Sequence, residues 1–340
     1  MPQKTVLVTG ANGFIGYGVC RAFSLAGWTT YGMLRSDKSI PDLIKEEIIP
    51  IVGTAANPTI PQQLPPIDVV VCCSGDPSNF KAHFEDITSM SQRLSQIARE
   101  KGHDKPLVIV TSGCKDYGTT LRHGDPDLAP HTESSPLNYP PILAERCDGA
   151  LKMLKFTDDF DCVITRPTTL YGRSSSYYSY IFHLAEQAKA RSDGVMKIAS
   201  TPNSILHGTH VDDVGAAYVA IAEAPRHVVA GQAYNISSHR YETLGELVPA
   251  IEQSHGVKVE YVDPEENAEI AYTIQILFNF PQWVGSDKLR KDTGWTDKKP
   301  LFHKGYEVYR RAYDAAANAK SEQHERVMAM AVGQFGVQQS

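Results

Sequence analysis

Three glycines set at intervals of three, Gly10, Gly13 and Gly16, stand in "TVLVTGANGFIG" (5–16) directly after a β-branched run and directly before a helix-length segment. Few backbones satisfy that pattern. Gly10 can make the tight turn, Gly13 lets the backbone approach a ligand, and Gly16 lets helix and strand pack closely. Free N–H groups at the helix start, aided by the helix dipole, then face an anion. A structural turn is the plain alternative, but at the first strand–helix junction of an alternating chain the triplet reads as a dinucleotide cradle. Its expected members are Gly10, Asn12, Gly13, Phe14, Ile15 and Gly16.

The alternation continues through the first half. "TTYGMLR" (29–35), "IIPIVGT" (48–54), "DVVVCCSG" (68–75), "PLVIVTSG" (106–113) and "DCVITRPTTLYG" (161–172) read as strands, with helices expected over 15–27, 87–102 and about 142–156. Continuous apolar strands separated by helices predict a parallel sheet covered on both faces, with right-handed crossovers. The expected fold class is therefore α/β, a doubly wound parallel sheet over 1–172. A smaller lobe follows over 173–340, from which 207–240 returns to the core. Ligands of open α/β sheets bind beyond the carboxyl ends of the strands. Ser74 and Pro167, at the ends of the fourth and sixth strands, are expected beside the cofactor.

Composition narrows the function classes. The net charge of −6 favours neither nucleic acid nor an anionic membrane as partner. No apolar run approaches the ~18–20 residues of a spanning helix, and "MPQKTVLVTG" enters a strand without a signal-like segment. The six cysteines lack metal-type spacing and disulfide-scaffold density, so a reduced, cytoplasmic protein without a structural metal is expected.

The second strand decides which dinucleotide is expected. An acid at its end would bind the adenosine 2′-hydroxyl of NAD. Here the strand closes in "GMLRSDK", so Arg35 is expected to terminate it, with Ser36 and Lys38 as further 2′-phosphate donors. The reading is NADP. Asp37 keeps NAD open as the lesser alternative, should the strand end elsewhere.

Together, "TGANGFIG" (9–16), "VIVTSGCKDYG" (108–118), "ITRPTTLYG" (164–172), "HGTHVDDVGAAYVAI" (207–221), "GQAYNISS" (231–238) and "SDKLRKDTGW" (286–295) resemble an extended short-chain dehydrogenase/reductase of the NAD-dependent epimerase/dehydratase kind. The resemblance spans about residues 4–296 and implies a Rossmann-type core with a C-terminal substrate lobe. It also implies a tetrad. A Tyr exchanges a proton with the substrate oxygen, a Lys four residues on lowers its pKa, a Ser or Thr donates to the same oxygen, and an Asn orders the relay.

Ser112 matches the serine, and Asp86 stands in the asparagine slot or caps a helix. The Tyr-x-x-x-Lys pair is incomplete in either alignment. In one, Tyr139 is the acid and Leu143 replaces the lysine. In the other, Pro140 and Pro141 enter the helix, Ile142 holds the tyrosine slot and Arg146 the lysine slot, where it would also bind the cofactor ribose. Ser112, Tyr139 and Arg146 are the candidate catalytic residues. Tyr117 and Tyr171 could substitute as the acid, Lys115 could supply the missing cation, and His207 and His210 are weaker alternatives for acid–base work.

Tyr117, Tyr171, Tyr177, Tyr178 and His210 are the expected substrate contacts. The tyrosines of "YGRSSSYYSYIFHLAEQA" (171–188) suggest a small, fairly apolar organic ligand, and Arg173 alone among them suits a second pyrophosphate. The expected activity is an NADP-dependent reductase or dehydrogenase acting on a carbonyl or hydroxyl. A non-redox isomerase, cyclase or dehydratase on the same scaffold and an NADP-binding sensor are the alternatives. The helix containing "YEVYRRAYDAAANA" (306–319) would cover the sheet or join two subunits as a homodimer.

Overall fold

Valine, leucine and isoleucine on both sides of each strand drive the first half of the chain into a sheet buried on both faces. The structure, a computed structural model, describes residues 3–174, 176–263, 277–321, 324, 325, 328 and 329. Its strands are β1 (Thr5–Thr9), β2 (Thr29–Leu34), β3 (Ile49–Val52), β4 (Val69–Cys72), β5 (Leu107–Thr111), β6 (Asp161–Pro167), β7 (Thr169–Tyr171), β8 (Val195–Ala199), β9 (Ile205–Leu206), β10 (Gly208–His210), β11 (Ala233–Ile236), β12 (Glu242–Thr243) and β13 (Lys258–Val262). The helices used below are α1 (Phe14–Leu25), α2 (Ile40–Lys45), α3 (Phe80–Glu100), α4 (Ala144–Met153), α5 (Ser179–Ala190), α6 (Val211–Glu223), α7 (Arg226–Val229) and α8 (Leu244–His255).

Seven strands form one parallel sheet in the order β11-β6-β5-β4-β1-β2-β3. This is the expected Rossmann-type α/β fold. The chain winds outward from β1 to β3 and then returns to lay β4 on the other side of β1. That reversal opens a crevice above the β1 and β4 carboxyl ends. Register places the chemistry on one level: Thr9 lies opposite Cys72, Cys72 opposite Val110, and Thr111 opposite Thr165.

Alternate residues of each strand feed two cores. Val6, Val8, Val69, Val71 and Ile109 join α1 and α6 on one face. Leu7, Val70, Val108 and Val110 join α3 and α4 on the other. A third cluster, rich in aromatic residues, builds the second lobe from Tyr171, Tyr178, Phe182, Leu247, Phe302 and Tyr309. The helix Phe302–Asn318 buries Phe302, Tyr306, Tyr309 and Tyr313 against this lobe.

The structure revises several expected boundaries. Helix α3 begins at Phe80, seven residues before the expected 87, because Asn79 caps it by accepting a 3.1 Å bond from the Ala82 N–H. Asp86 therefore sits inside α3 and not at its cap. The segment 161–172 is two strands. After Pro167, which lacks an N–H, the chain leaves the main sheet and β7 pairs with β10. Pro141–Leu143 form a short 3₁₀ turn, and α4 follows it at Ala144. Helix α8 is expected over 243–256 and carries both halves of a capping box, Thr243 and Glu246, with Gly256 ending it at φ 69°. The part of the expected C-terminal helix beyond residue 329 lies outside the described residues.

Helices α1 and α6 cross closely enough to need glycine on both. A Cβ at Gly215 would stand 2.7 Å from the Gly18 carbonyl oxygen, and one at Gly18 would meet Val211 Cγ2 at 2.7 Å. Gly215→Ala is expected to lower unfolding free energy by about 1–3 kcal/mol through overpacking. Urea denaturation checks this; an unchanged midpoint would show that the crossing has slack.

Candidate functional site

The turn after β1 is built with no room for side chains. Gly10 has φ 67° and its carbonyl accepts a 2.8 Å bond from the Gly13 N–H. A Cβ at Gly10 would lie 2.9 Å from the Ser74 backbone, and one at Gly16 would overlap the Gly10 carbonyl. The Ala11 N–H donates to the Met33 carbonyl at 3.0 Å, tying the turn to β2. Gly13 caps α1 without a side-chain bond, and the first turn of α1 carries no acid. Its leading amides and positive dipole end are thus uncontested, which is the environment a bridging pyrophosphate requires. The expected cradle residues Gly10 to Gly16 are contiguous here. Asn12 Nδ2 reaches Ser39 Oγ at 3.3 Å, and Ser74 Oγ lies 2.8 Å from Thr9 Oγ1.

Beyond β5 the chain turns through "TSGCKDY", where a carboxylate that the sequence reading did not single out organises the site. Asp116 is fully buried and ion-paired to Arg146 Nη2 at 2.6 Å and to Arg166 Nε at 3.3 Å. Ser112 Oγ donates to Asp116 Oδ2 at 2.5 Å. The Ser112 N–H donates to the Thr165 carbonyl at 2.8 Å, fixing the serine against β6. The Arg146 guanidinium lies over Gly113, whose missing side chain gives it space. Arg146 Nε is buried and has no hydrogen-bond partner among the described residues. Ser112 and Arg146 are thus brought together through Asp116, at the same sheet edge as the cradle.

Tyr139 is not part of this cluster. Its hydroxyl donates to Asp148 Oδ1 at 3.1 Å, and that hydrogen bond raises its pKa, the opposite of what a proton-exchanging phenol needs. Ile142, one turn before Arg146, is 65% exposed. Tyr117 is buried, donates to Asn235 Oδ1 at 2.9 Å and accepts from Arg166 Nη1 at 3.1 Å. Tyr171 is fully buried and donates to the Pro300 carbonyl at 2.8 Å, while Tyr178 packs at 4.5 Å on Phe302. His210 caps α6, its Nδ1 accepting from the Asp212 N–H at 3.1 Å. Tyr171, Tyr178 and His210 therefore sit in lobe packing. Their rings fill the aromatic core that a lobe of this size needs, and their spacing in sequence looks the same for packing as for binding. Tyr177 is half-buried, with its pKa pushed up to about 12 by burial and opposed by the Arg146 charge.

His207 donates through Nε2 to the Ser238 carbonyl at 3.1 Å, and its Nδ1 accepts from the Val284 N–H at 3.1 Å. Both ring nitrogens are committed, and burial pulls its pKa down to about 4. Arg166 carried a sequence signal for the hidden carboxylate. A guanidinium inside the apolar run "VITRPT" must be paired when the strand is central, and Asp116 is its partner.

The model of the NAD dependent epimerase/dehydratase family matches residues 6–237. No curated protein matches the chain. Among solved structures, dTDP-glucose 4,6-dehydratase from Bacillus anthracis in complex with NAD is similar, with TM-score 0.69 and 17% identity over 93% of this chain and 98% of that one. UDP-glucuronic acid 4-epimerase from Bacillus cereus in complex with NAD gives TM-score 0.68 and 16% identity over 94% and 99%. UDP-glucose 4-epimerase from Thermotoga maritima with UDP-glucose gives TM-score 0.69 and 15% identity over 92% and 99%. Among the described residues no helix is long and apolar enough to cross a membrane.

These findings overturn the expectation of NADP, since the matching family is NAD dependent and the dehydratase and glucuronate epimerase structures hold NAD. The physical reason lies in where β2 stops. It ends at Leu34, so Arg35 does not terminate the strand; Arg35, Ser36 and Lys38 all lie past it, as Asp37 does. Arg35 and Lys38 are exposed side chains on that outer turn and Ser36 is half-buried. The sequence criterion that separated arginine from aspartate therefore vanishes.

Asp116→Asn is expected to destabilise the protein by about 3–5 kcal/mol, because it leaves two arginines facing a neutral group in a buried site. Equilibrium urea unfolding tests this. A loss under about 1 kcal/mol would mean that water already compensates the guanidinium groups.

Proposed function

This chain belongs to the NAD dependent epimerase/dehydratase family, and from that premise we propose that it is an NAD-dependent oxidoreductase acting on a hydroxyl or carbonyl of a small organic substrate. The observation that carries the reading is the meeting of two features at one sheet edge: the side-chain-free turn Gly10–Gly16 and the Ser112–Asp116–Arg146 cluster.

The residues fit NAD. The amides opening α1 would hold its pyrophosphate, and the Asp37 carboxylate just past β2 would accept the adenosine ribose hydroxyls. Arg146, with a buried unpartnered Nε, would hold the nicotinamide ribose in place of the family lysine. When bound, the nicotinamide supplies the hydride acceptor or donor. The chain itself orients the substrate oxygen. The Ser112 hydroxyl, which reaches Asp116, would turn its proton to the substrate oxygen when substrate binds, leaving the substrate's own hydroxyl proton for a base. Asp116, held by two arginines, keeps that serine beside the crevice.

A sugar-nucleotide substrate, as in the epimerase and dehydratase structures, requires cations for a second diphosphate. Arg173 is the basic residue of 171–188 that precedes Lys189, and it is engaged by Asp212 through bonds of 3.0 and 2.8 Å. That pairing favours a substrate without a diphosphate.

Titration calorimetry is expected to register NAD binding, with Asp37→Ala weakening it about tenfold or more through loss of charge-assisted hydrogen bonds. Under a panel of cyclic and aromatic secondary alcohols with NAD, absorbance of the reduced coenzyme should appear. Ser112→Ala should slow that turnover roughly 10²-fold. Absence of NAD binding, or of any NAD-linked turnover, would refute the proposal; undiminished turnover in Ser112→Ala would remove Ser112 from it.

A further inference from the structure

The site described so far orients an oxygen but leaves its proton without a carrier. Ser112 donates to Asp116, Tyr139 donates to Asp148, and Ile142 stands where the family tyrosine would be. His207 has both nitrogens engaged. A carrier has to come from another side chain at the same edge.

Lys115 is that side chain. It lies three residues beyond Ser112, on the 3₁₀ turn Cys114–Tyr117 that follows β5. Gln282 pins the turn from outside, its Nε2 donating to the Cys114 carbonyl at 2.7 Å and to the Gly118 carbonyl at 2.6 Å. Lysine in such a position normally turns to water, yet Lys115 is half-buried and its Nζ stands 3.9 Å from the centroid of the Phe280 ring. It lines a narrow cavity of about 20 Å³ together with Thr169, Tyr178, Leu206, His207 and Phe280. No carboxylate pairs with it among the described residues.

The groups that face it explain its acidity. Arg146 approaches from α4, Cys114 adjoins it on the turn, and Tyr178 and His207 share the cavity. Cys114 and Tyr178 are buried so that their pKa values rise well above the ordinary, and His207 is pushed down to about 4, so all three are neutral near pH 7. Burial, opposed by Cys114 and aided by the Arg146 charge, destabilises the ammonium, and its pKa falls to about 7. A desolvated lysine beside another cation is a general acid–base group matched to neutral pH.

We propose that Lys115 is the proton carrier of this site, exchanging a proton with the substrate oxygen held at Ser112. This rests on the oxidoreductase reading above. In the oxidative direction the neutral amine takes the hydroxyl proton and becomes ammonium. The carbinol C–H electron pair leaves as hydride to the nicotinamide, and the remaining oxygen forms the carbonyl. Reduction runs the same transfer backwards from the ammonium.

Two readouts test it. Competitive labelling of the intact protein with acetic anhydride, followed by peptide mass spectrometry, measures the titration of Lys115 without any substrate. The acylation rate is expected to rise through about pH 7, against about 10.5 for an ordinary lysine. Titration near 10.5 would overturn the proposal. In the NAD-linked alcohol assay, Lys115→Met should lower kcat about 10²–10⁴-fold with NAD binding unchanged. Lys115→Arg should not restore it, because arginine keeps the cation–ring contact but cannot release a proton. Turnover retained in Lys115→Met, or rescued by arginine, would refute the role of Lys115 and leave the oxidoreductase reading standing. Absence of turnover in the unaltered protein would instead refute that reading.

Discussion

One buried carboxylate ties the chemical edge of this protein together. Asp116 has no access to solvent, which on its own would be prohibitive for a charge. Two guanidinium groups and a serine hydroxyl make it tolerable, and each of those partners is thereby fixed. Arg166 comes from the interior strand β6, Arg146 from α4 and Ser112 from the end of β5. The pairing thus links strand, helix and turn at the level where the crevice opens. Such a network contributes little net stability relative to a well-packed apolar core, but it allows few alternative arrangements.

The second constraint is steric. Gly10, Gly13 and Gly16 let α1 start close against β1, and Gly18 and Gly215 let α6 lie close against α1. The first requirement is local in sequence, which is why the fold class and the glycine turn were legible from the glycine spacing and the alternating apolar runs. The position of helix starts was less legible. Helix α3, capped by Asn79, starts seven residues ahead of the apolar periodicity that marks it, and Pro167 splits one apparent strand into two.

The candidate site was legible only in part, because its logic is tertiary. Ser112 and Arg146 stand at recognisable motif positions, and Arg146 pairs with Asp116 on the turn after β5. Asp116 was hidden in a turn where a carboxylate ordinarily faces water. The tyrosines of 171–188 are ambiguous for a related reason: an aromatic-rich segment that wraps a second core has the composition of a ligand pocket. Arg35 misled by one residue of strand length, since β2 stops at Leu34. In each case the ambiguous quantity was which way a side chain faces, and a single sequence does not encode that without its partners.

In the proposed complex Arg146 would serve two partners at once, Asp116 within the protein and the nicotinamide ribose in the crevice. A crystal structure of the NAD complex measures this most directly. It should show the Arg146 guanidinium within hydrogen-bond distance of both the ribose hydroxyls and Asp116, with the pyrophosphate against the opening amides of α1. A coenzyme bound there with its nicotinamide ribose held by other groups, or an Arg146 drawn away from Asp116, would contradict the account.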